Sequence, residues 1–138
     1  MPRAGARAQL CDRREALNRL AQAESFAAAA ELVLEDTSDV ARPGVAAALA
    51  VLSGIAASDA ACCARLGRRA RGQAHEEAPL LLATVDPHGP EMAKDLDRLL
   101  SRKDSSHYGT AFVSAGEAAR MVSWARRLLG RAARAVEA

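Results

Sequence analysis

The sequence predicts an all-α protein, a compact up-and-down bundle of four to five helices in a single domain. Alanine occurs 34 times among the 138 residues, and alanine loses no side-chain entropy in a helix. Aromatic residues make up only 3% of the chain, which disfavours a β-sheet, because sheets draw on aromatic and β-branched side chains. A chain of 138 residues suits one hydrophobic core. We expect residues 1–8 to be disordered.

Apolar side chains recur at helical spacing along most of the chain. We expect helices over about residues 8–35, 45–67, 72–85, 90–108 and 115–136. The first is either one helix with a bend near Ser25 or two shorter helices, and Pro79 either begins the third helix or kinks it. Gly67 suits the C-terminal cap of the second helix. The sequence S-x-x-E from Ser114 has the form of a capping box for the last helix.

Charge and cysteine content limit the class of protein. The formal net charge is +2, from 19 basic and 17 acidic residues, so bulk charge does not indicate a nucleic-acid binder. Cys11, Cys62 and Cys63 are interpreted as reduced thiols packed in the core, which predicts a cytoplasmic protein. No CxxC, HxxxH or HExxH spacing occurs, so we expect no metal site and no cofactor.

The most apolar segment, residues 45–64, is interpreted as a buried core helix rather than a membrane span, and we expect no membrane partner. Asp59 argues against a span, because a carboxylate in the bilayer is costly. Its spacing from Leu52, Ile55 and Leu66 places it on the inner face of the helix. An ionised carboxylate there needs a cationic or hydrogen-bonding partner. The candidates are Lys103, Arg102, His107, His75 and Arg71.

The stretch SRKDSSHYG at residues 101–109 concentrates polar chemistry at the expected end of the fourth helix. It is either the polar end of that helix or a catalytic or ligand-binding cluster. Lys103 and His107 would share a helical face with Leu96 and Leu100. Arg102 would lie about 140° away from His107 around an ideal helix. These two residues meet at one ligand only if the helix end unwinds, or if both flank a groove shared with another subunit.

Several neighbouring residues carry an ordinary structural interpretation. His75 precedes two glutamates and is expected to be an exposed first-turn residue unless it joins Asp59. Tyr108 is expected to pack its ring and leave its hydroxyl in solvent. Met121 and Trp124 are expected to pack in the core or at a dimer contact. The outer face of the last helix is expected to be a solvated surface, formed by Arg120, Arg127, Arg131 and Arg134.

The segment from Arg102 to His107 resembles the R-x4-6-H motif of the HEPN superfamily. HEPN domains are all-α bundles of four to five helices in which the motif comes late, before a long last helix. The helix order here is similar over most of residues 10–136. The stretches SGIAASDAACCARLGRRARGQAHEEA and LLSRKDSSHYG also resemble small actinobacterial HEPN-like proteins.

The resemblance implies a metal-independent ribonuclease, often the toxin of a toxin–antitoxin pair with a nucleotidyltransferase partner, and commonly a homodimer whose two motifs form one RNA cleft. His107 would be the general base or acid acting on the ribose 2′-hydroxyl and the leaving oxygen. Arg102 would hold the scissile phosphate and stabilise its developing charge. Asp104 or Ser105 would orient the His107 ring or contact the phosphate.

A second hypothesis comes from a different class of function. The chain would be a non-catalytic, HEPN-like helical module that dimerises or binds a partner protein or nucleotide. Asp59, Lys103 and His107 would then form a structural network that fixes the register of the helices. A remote third option is a DNA-associated protein that uses the arginine face of the last helix.

Overall fold

The computed structural model describes residues 8–36, 38–71, 76–102 and 113–138, and these fold into five α-helices and two short strands. The elements in chain order are β1 (Ala8–Leu10), α1 (Arg13–Glu35), α2 (Arg42–Leu66), β2 (Arg68–Ala70), α3 (Glu77–Leu82), α4 (Gly89–Ser101) and α5 (Ala115–Glu137). The prediction of a mostly helical bundle is confirmed. One buried apolar cluster draws side chains from all five helices.

The N-terminal part of the fold differs from the prediction. The first helix begins at Arg13, later than expected, and runs without interruption to Glu35. Asp12 caps it, since its side chain accepts a hydrogen bond from the Glu15 amide while Glu15 accepts one from the Asp12 amide. Ala8, which we expected to be disordered, begins β1 and lies opposite Ala70 in an antiparallel ribbon with β2. The rest of that expected disordered segment lies outside the described residues.

Two of the three cysteines form a disulfide, so the prediction of three reduced thiols was wrong. Cys11 is bonded to Cys63 across 52 positions of sequence, with their Cα atoms 5.4 Å apart. The β1–β2 pairing brings Cys11 beside the end of α2, where its amide donates to the Gly67 carbonyl at 3.0 Å. Cys62 keeps a free thiol and is buried. The thiol argument for a cytoplasmic location therefore has no basis, and that location stays a prediction.

Helix α2 is the central element of the bundle. It is long and apolar enough to cross a membrane, with a mean hydropathy of 1.8 in its most apolar window, but 72% of that window is buried inside the fold. The interpretation as a core helix is confirmed. Gly67 ends the helix in the left-handed conformation at φ 72°, which only glycine adopts without strain.

Small side chains let α2 approach its neighbours closely. Its buried alanines pack against buried alanines of α1, and the buried Ser53 hydroxyl donates to the Ala23 carbonyl at 2.8 Å. A Cβ placed on Gly54 would lie 2.5 Å from Leu99 Cδ1 of α4. The small alanine side chains therefore allow the close contact between α1 and α2, because larger side chains there would push the two helices apart.

The two helices that position the candidate site are α4 and α5. Pro79 lies in the first turn of α3, so the alternative in which the third helix begins near this proline is confirmed. Helix α4 begins at Gly89 and ends at Ser101, earlier than expected. Ser114 caps α5 by accepting a hydrogen bond from the Glu117 amide at 3.1 Å. The contact between α4 and α5 carries the charged groups described below.

Candidate nucleic-acid interface

Arg102 stands at the C-terminal end of α4, where its own amide donates to the Leu99 carbonyl at 3.2 Å. Its side chain is 41% exposed and forms an ion pair with Glu117 in the first turn of α5. The guanidinium carbon lies 5.8 Å from the centre of the Trp124 ring, within the range of a cation–π contact. Arg102 is therefore held at the surface by two residues of α5.

The other candidates in the motif fall outside the described residues. These are Lys103, Asp104, Ser105, His107 and Tyr108, together with His75 from the preceding segment. Helix α4 ends at Ser101, so the expected extension of the fourth helix to residue 108 was wrong. The shared face that we expected for Lys103 and His107 lies outside the described residues and stays a prediction.

Asp59 is buried, as its spacing predicted, but its described partners differ from those we expected. It is 7% exposed and accepts hydrogen bonds from Arg19 Nη2 at 2.9 Å and Nε at 3.1 Å. Arg69 of β2 adds a contact at 3.4 Å. Arg102, one of the partners we proposed, is bound to Glu117 instead. The prediction could not find Arg19, because only the packing of α1 against α2 brings it to Asp59.

Burial dominates the electrostatics of this corner of the bundle. Loss of solvent raises the pKa of the Asp59 carboxyl above its usual value of 3.8, while the charge of Arg19 opposes the shift. The neighbouring Cys62 thiol is also desolvated and faces the Asp59 charge, and its pKa rises to about 12. A thiol with this pKa stays protonated at neutral pH and is a poor nucleophile. The hydrogen bonds of Asp59 to Arg19 and Arg69 therefore join α2 to α1 and β2 as a structural network.

A second buried carboxylate, Asp95 on α4, gathers more arginines than Asp59. Asp95 is 1% exposed. Arg127 of α5 binds it through both ends of the fork, with Nη2 at 2.7 Å and Nε at 3.0 Å. Arg98 donates at 3.1 Å, and Arg131 lies at 3.7 Å. The bidentate geometry fixes α4 against α5.

Sequence reasoning missed Asp95, although the signal was present. Asp95 follows Met92 by three residues and precedes Leu99 by four, so it falls on the buried stripe of α4. The same spacing argument that placed Asp59 on an inner face would have found it. On the arginine face expected at the outer side of α5, the Arg127 side chain is 46% exposed and that of Arg131 is 29% exposed, and both also bind the buried Asp95.

The groups around Asp95 and Arg102 form one continuous surface along α4 and α5. We call it the Arg–Trp surface; its members are Arg98, Arg102, Trp124, Arg127 and Arg131, with the carboxylates of Asp95 and Glu117. Arg98 joins its two ends, because it donates to Asp95 and lies 6.0 Å from the centre of the Trp124 ring. Four guanidinium groups and two carboxylates leave a net charge of +2 on this surface.

Exposure decides what this surface can do. The Asp95 carboxylate is buried, but the side chains of Arg98 and Arg127 are 48% and 46% exposed. The positive charge therefore reaches solvent while its compensating negative charge lies beneath. Exposed guanidinium groups bind phosphate through paired N–H donors. A half-buried indole beside them adds a flat apolar face on which a nucleic-acid base can stack.

The chain matches no protein-family model, no curated protein and no solved structure at the level that would indicate a relationship.

Proposed function

We propose that this protein is a HEPN-type, metal-independent endoribonuclease whose RNA-cleaving site is built around Arg102 and His107. One observation carries the proposal: Arg102, the arginine of the motif, stands half-exposed at the end of α4 within a positively charged surface. A phosphodiester needs this kind of group, because a guanidinium stabilises negative charge on the phosphate oxygens. The helical bundle and the long α5 after the motif also fit the proposal.

The chemistry assigns distinct roles to the two residues. The ribose 2′-hydroxyl loses its proton to a base, its oxygen bonds to the adjacent phosphorus, and the bond from phosphorus to the 5′-oxygen breaks. His107 takes the proton or returns one to the leaving oxygen, since an imidazole changes charge near neutral pH. Arg102 binds the phosphate as its charge develops. Within the described residues, the hydrogen bond from Arg102 to Glu117 uses only Nη1, so Glu117 orients the guanidinium group.

The remaining parts of the proposal follow from the resemblance. A homodimer would bring two copies of the motif to one cleft. The action of the protein in the cell would be that of a toxin, with a nucleotidyltransferase-type partner as its antitoxin. Asp104, Ser105 and Lys103 would contact the phosphate or orient His107.

Inducible expression tests the ribonuclease and its toxicity together. Wild-type protein should arrest growth and cleave RNA in vitro, and Arg102→Ala and His107→Ala should each abolish both effects. Arg126→Ala is the matched control, since Arg126 lies on α5 but binds Glu24 and Glu31. Cleavage that survives both motif substitutions would remove the assignment to this motif.

A non-catalytic helical binding module is the second candidate, and the two buried carboxylate networks favour it. Asp59 and Asp95 each tie two or more elements together through arginines, and Arg102 is itself paired with Glu117. Under this alternative, Asp59→Ala and His107→Ala would lower the melting temperature. Neither toxicity nor RNA cleavage would be observed with the wild-type protein.

A further inference from the structure

Arg98, Trp124 and Arg102 form one group on the Arg–Trp surface. Of these three residues, only Arg102 has a role in the proposed cleavage chemistry, which leaves Arg98 and Trp124 without one. Trp124 is half-buried, and one side of it packs against the apolar core. The guanidinium carbons of Arg98 and Arg102 lie 6.0 and 5.8 Å from the ring centre. Two exposed, planar cations therefore flank the only tryptophan of the chain.

We propose that Trp124, flanked by Arg98 and Arg102, is a base-stacking platform that selects unpaired RNA next to the scissile phosphate. The inference rests on the proposed function for the identity of RNA as the ligand. An indole face and a guanidinium plane both stack on nucleobases, and they do so whatever the sequence. Bases inside a duplex already stack on each other, so only a single strand offers them to the platform.

The charge of the surface agrees with this occupant. The arginines exceed the carboxylates by two charges, and the backbone of a single strand supplies about one negative charge per nucleotide. Arg98 is 48% exposed at its side chain, so it can contact a phosphate while its partner Asp95 stays buried. The platform thus provides a base contact and a backbone contact within one turn of α4 from Arg102.

Binding can be measured without cleavage by using an RNA that lacks the attacking hydroxyl. The probe is a 2′-O-methyl RNA of about 12 nucleotides without self-complementarity, within the range of single-strand site sizes. Since Trp124 is the only tryptophan, quenching of the intrinsic fluorescence reports stacking directly. We expect the single strand to quench Trp124 and the duplex of the same length to leave the emission unchanged. Equal quenching by both, or by neither, would overturn the proposal.

Variants separate stacking from simple charge attraction. With a fluorescein-labelled probe, anisotropy should show binding about tenfold weaker for Trp124→Leu, and Trp124→Phe should restore most of it. Arg98→Gln and Arg126→Gln each remove one positive charge from a partly exposed site. The wild-type side chains of Arg98 and Arg126 are 48% and 34% exposed. Only Arg98→Gln should weaken binding. Equal weakening by the two glutamine variants would show nonspecific attraction and overturn the platform.

The outcomes also separate this proposal from the proposed function. If the probe quenches Trp124 but unmodified RNA is not cut, the ribonuclease fails and the platform stands. If RNA is cut in a manner that depends on Arg102 while Trp124→Leu binds as tightly as wild type, the platform fails and the ribonuclease stands. Should Trp124→Leu not fold, Arg98→Gln and the quenching of the wild-type protein decide alone.

Discussion

The two carboxylates that are buried in the described part of the chain, Asp59 and Asp95, differ in the exposure of the arginines that bind them. Asp59 lies in the apolar helix α2, and its arginine partners among the described residues, Arg19 and Arg69, are 28% and 26% exposed at their side chains. Asp95 lies on α4, and two of its three arginines are almost half-exposed. Both carboxylates neutralise part of a guanidinium cluster. Of these two clusters, as far as the described residues show, only that of Asp95 continues into the Arg–Trp surface.

The difference follows from what surrounds each carboxylate. Asp59 is enclosed by the β-ribbon and by the disulfide, since Cys63 is one turn after it on α2. Asp95 faces α5, a helix with a strongly polar outer side, so its arginines point past the carboxylate into solvent. A buried acid with several arginines is therefore a structural tie when enclosed and a support for a charged surface when it lies at a bundle edge.

The largest effect should come from the disulfide that closes the Asp59 corner. Cys11→Ala should lower the free energy of unfolding by about 4 kcal/mol, because the cross-link across 52 positions restricts the unfolded chain. Urea denaturation with and without reductant measures it, and reductant should destabilise the wild type but not the variant.

A thiol count is the control for that experiment. Denatured, unreduced protein should react with one equivalent of a thiol reagent, from Cys62, and reduced protein with three. Native protein should react slowly at neutral pH, because burial raises the pKa of Cys62 to about 12. Three reactive thiols before reduction would contradict the disulfide.

The next largest loss of stability should come from replacing one arginine partner of each buried carboxylate. Arg127→Gln removes both hydrogen bonds that its fork gives to Asp95, and Arg19→Gln removes two from Asp59. Each should cost about 2 kcal/mol, since a buried carboxylate loses charged donors. Thermal unfolding measures the loss, and the exposed Arg120→Gln is the control. Equal stability of Arg127→Gln and Arg120→Gln would contradict a structural role for the Asp95 contact.

Gly67 connects α2, which carries Asp59, to β2. Its replacement should lower the free energy of unfolding by less than the arginine substitutions do. The left-handed backbone at φ 72° strains any residue with a Cβ, so Gly67→Ala should cost about 1 kcal/mol. Gly130→Ala is the matched control in α5, where an added Cβ meets open space. It should be neutral or slightly stabilising, and chemical denaturation of both variants checks the difference.

The smallest effect concerns a surface pair that neither carboxylate cluster includes. A hydrogen bond from Arg126 lowers the pKa of Glu31 below 4.5, so its stabilisation is present above that pH and is lost as the pH falls. Because Glu31 is 44% exposed, Glu31→Gln should cost only about 0.5 kcal/mol at pH 7. The difference from wild type should shrink as the pH falls below 4.5 and should vanish once Glu31 is protonated in the folded protein. A difference that stays constant with pH would contradict the assignment.

Much of the fold could be predicted because it depends on local patterns. The helical class, the Gly67 cap, the Ser114 cap and the burial of Asp59 all follow from spacing within about two turns. The same spacing also indicates that Asp95 is buried, so its position could have been predicted from the sequence. The fourth helix was predicted to be too long. Polar residues such as those after Ser101 occur on the exposed face of a helix as well as beyond its C-terminal end, so the pattern did not show where the helix ends.

The partners of these residues could not be predicted, since they depend on how helices pack. Arg19 and Asp59 are separated by 40 positions, and Arg127 and Asp95 by 32. The chain has 17 arginines, so charge alone leaves many equivalent pairings. Cys11 likewise meets Cys63 rather than Cys62 only because the β1–β2 ribbon, which its composition did not indicate, brings it to the end of α2.

One paired measurement tests most directly whether the Arg–Trp surface is needed for RNA cleavage while the Asp59 network is needed only for stability. RNA cleavage rate and melting temperature are measured for wild type, Arg102→Gln and Arg19→Gln. We predict that Arg102→Gln loses cleavage with little change in melting temperature, while Arg19→Gln melts earlier and cleaves at the wild-type rate below its transition. Wild-type cleavage by Arg102→Gln, or loss of cleavage by folded Arg19→Gln, would contradict the account.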